Sequence, residues 1–190
     1  MARAANPPDD LPLFRGLLAE ILDEFPRFRI VPKAGDRFSR VVDVALRIVT
    51  AGGQRSYLTR YHTVMGSTLY VPPSWDRMTD ADRVILLRHE RVHLRQSRRF
   101  GFGLMAFLYL VPFFPLGLAY GRARLEWEAY EETLRATAEH YGIAAVKSAA
   151  LRDGIVTRFT GPDYGWMWPF RRSVERWYDD AVERIERRAS

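Results

Sequence analysis

Apolar residues recur at helical spacing near the start of the chain. Leu11, Phe14, Leu17, Leu18, Ile21, Leu22 and Phe25 fall on one face and Pro26 stops the run, which predicts an amphipathic helix packed across a sheet. The period then shortens to two. Arg40 to Thr50 alternates and is rich in Val and Ile, Ala51-Gly-Gly-Gln54 supplies a turn, and Arg55 to Thr63 returns, predicting a β-hairpin. Leu69 to Val71 adds a short third strand, ended by Pro72-Pro73. The helical period resumes after Thr79, which with Asp80-Ala-Asp82 resembles a capping box and sets a helix start near residue 80. Val84, Leu87, His89 and Val92 follow its apolar side, and arginines crowd its other positions and its C-terminal end.

A second long helix opens around Arg122 and ends near Gly142, and a short one spans Ile143 to Arg152. A last helix, Phe170 to Arg188, places Val174, Trp177, Tyr178, Ala181 and Ile185 on one face. The aromatic loop Gly161 to Pro169 carries Tyr164, Trp166 and Trp168, which either line a specificity pocket or cover a core edge. Together these elements predict one α+β domain over residues 1–190, with a small twisted antiparallel sheet packed on a helical half.

The helix after Thr79 contains His89-Glu90-Arg91-Val92-His93. At about 100° per residue His89 and His93 lie one turn apart, roughly 40° from each other, so both can reach one metal ion. Glu90 projects beside that pair, placed to take a proton from a metal-activated water without being a ligand itself. Without further context the same five residues also describe a surface helix with two solvated histidines. Gln96, a further turn along, is placed either to hydrogen-bond a ligand's second nitrogen or to lie solvated.

A catalytic zinc site takes three protein ligands, so a third is expected downstream. The Arg122 helix offers Glu126, Glu128, Glu131 and Glu132. Glu126 and Glu128 are about 200° apart on a helix, so one faces inward and the other outward. Leu125, Ala129, Leu134 and Ala136 put apolar character around Glu126, which makes it the chosen ligand, with Glu128 as the alternative. Glu131 and Glu132 are expected to pair with Arg124 and Arg135 on a solvated face.

Composition narrows the chemistry. The chain has no cysteine, so a bound metal is held by nitrogen and oxygen ligands and no disulfide framework exists. The net charge is +6, carried by 27 Arg and 2 Lys, but acids are interspersed with the arginines and no nucleic-acid motif is present. Nucleic acid is therefore not a predicted partner. Residues 1–10 lack the apolar core of a signal peptide, which predicts a cytoplasmic location, with attachment to the periphery of the inner membrane as a second reading.

That second reading comes from Phe102 to Tyr120, an uncharged stretch of 19 residues. A single membrane span there would leave His89 and His93 on one side and Glu126 on the other, incompatible with one ion bound by all three. The alternatives are a buried helical hairpin or an interfacial hairpin broken at Pro112 to Pro115. Arg98, Arg99, Arg122 and Arg124 flank it and suit anionic headgroups.

His-Glu-x-x-His followed by Glu126-x-x-Ala129 on a second helix resembles the gluzincin type of zinc metallopeptidase, in its small single-domain bacterial form, over about residues 57 to 135. The resemblance implies a zincin-like fold, Zn2+ as cofactor and a peptide or protein as substrate. It also implies that Ser67 to Pro73 is the strand beside the cleft, pairing with the substrate. Many gluzincins carry Asp four residues after the ligand Glu, supporting a ligand histidine; here that position is Tyr130. Candidate donors to the oxyanion are His62, Tyr61, Arg122 and Tyr130, of which Tyr130, one turn from Glu126, has the best positional argument. Two other classes stay open: a metal-retaining protein that binds a partner without catalysis, and a peripheral membrane protein in which the histidine motif is incidental.

Overall fold

Helix α1, Pro12–Glu24, begins without a side-chain cap of its own. Its first free amides are satisfied from elsewhere in the sequence: Leu13 N–H donates to Asp80 Oδ2 at 2.9 Å and Phe14 N–H to Asp80 Oδ1 at 2.8 Å. A carboxylate suits the positive end of a helix, so one side chain both fixes where α1 starts and ties it to residue 80. The computed structural model describes residues 11–34, 62–101, 103–104, 118–161 and 167–189. The chain divides into two compact units, Met1–Glu90 and Arg91–Ser190. The division falls inside one uninterrupted helix, α2, Asp80–Phe100.

In the first unit α1 buries Phe14 and Ile21, each stabilising by about 1.5–3 kcal/mol. Leu22, expected on the apolar face, is 40% exposed. The sheet holds β1 (Arg29–Pro32), β2 (Thr63–Met65) and β3 (Thr68–Val71) in the order β1-β3-β2. The expected antiparallel sheet is instead mixed, because β1 runs parallel to β3 from Arg29↔Thr68 to Pro32↔Val71, while β2 and β3 form an antiparallel hairpin. The hairpin turns through Gly66-Ser67, with Gly66 at φ +59°, the left-handed region that a two-residue turn requires. The hairpin expected between Arg40 and Thr63 lies outside the described residues, apart from His62 and Thr63 at its end.

β3 is the central strand, hydrogen-bonded on both sides and buried at all four positions. That overturns its expected role in pairing with a substrate peptide, since a strand with both edges occupied has no amides to offer. A five-residue 3₁₀ helix, Pro73–Arg77, follows and buries Trp75. Trp75 packs edge-on to Phe14 at 5.6 Å, and the Arg83 guanidinium lies 5.0 Å over its ring.

α2 begins where its cap predicts: Asp82 N–H donates to Thr79 Oγ1 at 3.1 Å. The second unit continues with α3 (Leu118–Tyr141), α4 (Ile143–Val146), α5 (Ala149–Thr160) and α6 (Arg171–Ala189). α3 stops at Gly142, whose φ of +79° opens a left-handed exit. The expected helix Ile143 to Arg152 is two helices, because Ser148 caps a new start by accepting from Leu151 N–H at 3.3 Å. One apolar cluster joins them, built on Ala123, Trp127, Tyr130 and Leu134 of α3, Ile155, Val156 and Phe159 of α5, and Val174, Tyr178 and Ala181 of α6. α6 contributes the face its spacing predicts. Of the aromatic loop, Trp168 is half-buried and stacks on Trp177 at the edge of this cluster, while Tyr164 and Trp166 lie outside the described residues.

The Tyr178 hydroxyl donates to the Val146 carbonyl at 2.5 Å inside the cluster. Burial, opposed by Arg152 and reinforced by Asp179, pushes its pKa up from 10.0 to about 12. A pKa raised on folding means that the folded state holds the proton longer. The associated stability is whole below pH 10 and is lost as pH rises toward about 12. Tyr178→Phe is expected to destabilise by about 1–2 kcal/mol at neutral pH and to flatten the loss above pH 10, read by denaturant unfolding across that range. A variant with the same alkaline slope as the wild type would contradict the assignment. Asp80→Ala is expected to remove about 1–2 kcal/mol by uncapping α1; unfolding that shows no loss would assign Asp80 no capping role.

Candidate metal centre

Helix geometry alone places His89 and His93 on one side of α2, and the continuity of α2 holds them in that relation. Glu126 enters from α3. It sits between Leu125 and Trp127, both buried, and is itself only 5% exposed. One ligand atom from each of His89, His93 and Glu126 can be chosen so that all lie within 4.8 Å of one another. The His93 Nε2 to Glu126 Oε2 distance is 3.7 Å. Donors on one tetrahedral ion at about 2.0–2.1 Å would be roughly 3.3 Å apart, so small side-chain adjustments close the set. Two imidazoles and a carboxylate are the ligand types of a catalytic metal site with a place left for water. The triad can hold a metal ion.

Of the two competing carboxylates, the inward one is the one gathered. Glu128 is exposed, as a residue 200° around the helix should be. Its Oε2 instead accepts from Gln96 Nε2 at 2.9 Å. Gln96 is 4% exposed, and the same nitrogen donates to the Leu125 carbonyl at 3.0 Å. At its other end, Gln96 Oε1 lies 3.0 Å from His93 Nδ1. Of the two placements open to Gln96, the structure takes the buried one, against the Nδ1 of His93. Spacing placed Gln96 on the right side of α2, but its Leu125 and Glu128 partners come from a helix 29 and 32 residues away.

Glu90, adjacent to the pair on α2, is 6% exposed. Tyr130 lies in the apolar cluster with its ring edge-on to Phe159 at 5.4 Å. Its hydroxyl accepts from Arg158 Nη1 at 2.9 Å. Arg122 is half-buried one turn before Glu126 on α3. His62 precedes β2 and meets Trp75 edge-on at 6.0 Å, while Tyr61 lies outside the described residues. Glu131 and Glu132 both pair with Arg135, at 2.8 and 3.3 Å, but Arg124 lies 5.4 Å over Trp177 instead of joining them.

No known protein family, characterised protein or solved structure matches this chain. No helix among the described residues is long and apolar enough to cross a membrane. Most of the apolar segment Phe102 to Tyr120 lies outside those residues; at its end Tyr120 is exposed and packs 5.0 Å from Trp168.

A ligand that binds only the folded state stabilises it, by about 2.7 kcal/mol at a hundredfold excess over Kd. Zinc added to the metal-free chain is therefore expected to raise its melting midpoint. The shift should vanish in His89→Ala, His93→Ala and Glu126→Ala and persist in Glu128→Gln, read by thermal unfolding with and without zinc. A wild-type midpoint that does not respond would contradict the site.

Proposed function

We propose that the chain is a zinc-dependent hydrolase of peptide bonds, built on a zincin-like plan with His89, His93 and Glu126 as ligands and Glu90 as general base. The observation that carries this reading is the convergence of two histidines one turn apart with a buried carboxylate from a second helix. The donor set fits the ion: three nitrogen and oxygen ligands without thiolate suit a catalytic zinc and leave coordination open. Zinc, when bound, supplies a Lewis acid that makes water nucleophilic near neutral pH and polarises the scissile carbonyl.

The chain's residues do the rest. Glu90, one residue after the first ligand on the same helix, takes the proton from the attacking water and passes it to the leaving amine. Its burial limits competing solvation of the carboxylate. The oxyanion forming on the scissile carbonyl needs a donor, and Tyr130, one turn beyond Glu126, is assigned that role. A phenol that accepts from a guanidinium is a stronger donor for it, which is what the Arg158 bond supplies. A peptide or protein is the substrate class.

Glu90→Gln keeps the shape of the side chain and removes the base. Hydrolysis of a quenched fluorescent peptide library is expected to fall by about 10²–10⁴-fold, with zinc content unchanged. Hydrolysis that survives the substitution would remove Glu90 as the base, and a zinc-loaded wild-type chain that hydrolyses nothing would point instead to a metal-retaining protein that binds a partner without catalysis.

A further inference from the structure

The Gln96 amide has only one orientation that its surroundings accept. Its nitrogen faces two acceptors, the Leu125 carbonyl at 3.0 Å and the Glu128 carboxylate at 2.9 Å. Turning the amide over would set its oxygen against both, leaving two acceptor pairs and no donor in a buried site. The oxygen is therefore fixed toward His93 Nδ1, 3.0 Å away. An amide oxygen only accepts, so Nδ1 must carry the proton. A neutral imidazole protonated at Nδ1 has its lone pair on Nε2, and Nε2 is the atom that faces Glu126 at 3.7 Å.

We infer that Glu128 and Gln96 form a two-residue relay that locks His93 in its Nδ1–H tautomer and keeps Nε2 bare on the Glu126 side. Both are positioning residues, acting on the ion through His93. This gives a role to Glu128, the carboxylate that does not join the triad: its acceptor oxygen pins the amide nitrogen, and the amide in turn sets the imidazole. Free histidine favours the opposite tautomer, so the protein holds His93 in the form that binds through Nε2 before any ion arrives. The relay deepens the metal-site reading and rests on it for its purpose, but its geometry stands without an ion.

The test is a long-range nitrogen–proton NMR spectrum of the imidazole rings, recorded on metal-free full-length protein at a pH high enough to keep the rings neutral. Wild-type His93 is expected to show Nδ1 protonated and Nε2 bare. Gln96→Leu should shift it toward Nε2–H. Glu128→Gln can turn its own amide oxygen to Gln96 and should leave the wild-type pattern in place. With zinc as the probe, in competition with a chelator, Gln96→Leu is expected to weaken binding by about 10–100-fold, and Glu128→Gln by far less. An Nε2–H His93 in the wild-type chain overturns the relay, and because that spectrum needs no variant, a failure of Gln96→Leu to fold does not blunt the test. A wild-type chain that shows the Nδ1–H form but takes up no zinc would sink the hydrolase reading while upholding the relay.

Discussion

A buried carboxamide is tolerated only where both its ends are satisfied, and at Gln96 that demand links the parts of the site. The side chain is 4% exposed and reaches from α2 to the backbone and side chain of α3. Leaving one of its polar atoms unpaired would cost about 1–3 kcal/mol, so this contact favours the approach of α3 to the His93 end of α2. His93 and the helix that carries Glu126 are thus joined by a hydrogen-bonded contact that lies outside the candidate triad. Rigid support of this kind is what a metal centre needs when its ligands come from separate helices.

The second constraint is the continuity of α2. His89 and His93 are fixed relative to each other by one turn of helix. The same few residues set its start and that of α1. Thr79 caps it, while Asp80 in its first turn caps α1. A substitution at residue 80 therefore acts on the first unit at a point well along the chain from α1, and on the helix that carries both histidines.

Local features were legible in the sequence. The capping box at Thr79, the turn spacing of the histidines, the opposite faces of Glu126 and Glu128 and the apolar stripe of α6 all depend on residues within a turn or two of one another. What escaped reading depends on distant partners. β1 is four residues with no full alternation, and nothing local announces that Arg29–Pro32 pairs in parallel with Thr68–Val71. The central place of β3 follows from that pairing alone. Gly66-Ser67 did carry a hairpin signal, and Ser148 a cap, and each accounts for an element boundary that the hydrophobic pattern misplaced. Gln96 was placed on the correct side of its helix, but its partners on α3 were beyond the reach of spacing.

The central claim is that His89, His93 and Glu126 hold one zinc ion. X-ray absorption at the zinc edge of the reconstituted protein tests it most directly, because the chain has only four histidines and the number of imidazoles around the ion is sharply readable. The account predicts zinc retained after dialysis, with two imidazoles and the remaining ligands oxygen, at about 2.0–2.2 Å. No retained zinc, or a shell containing one, three or four imidazoles, would contradict it.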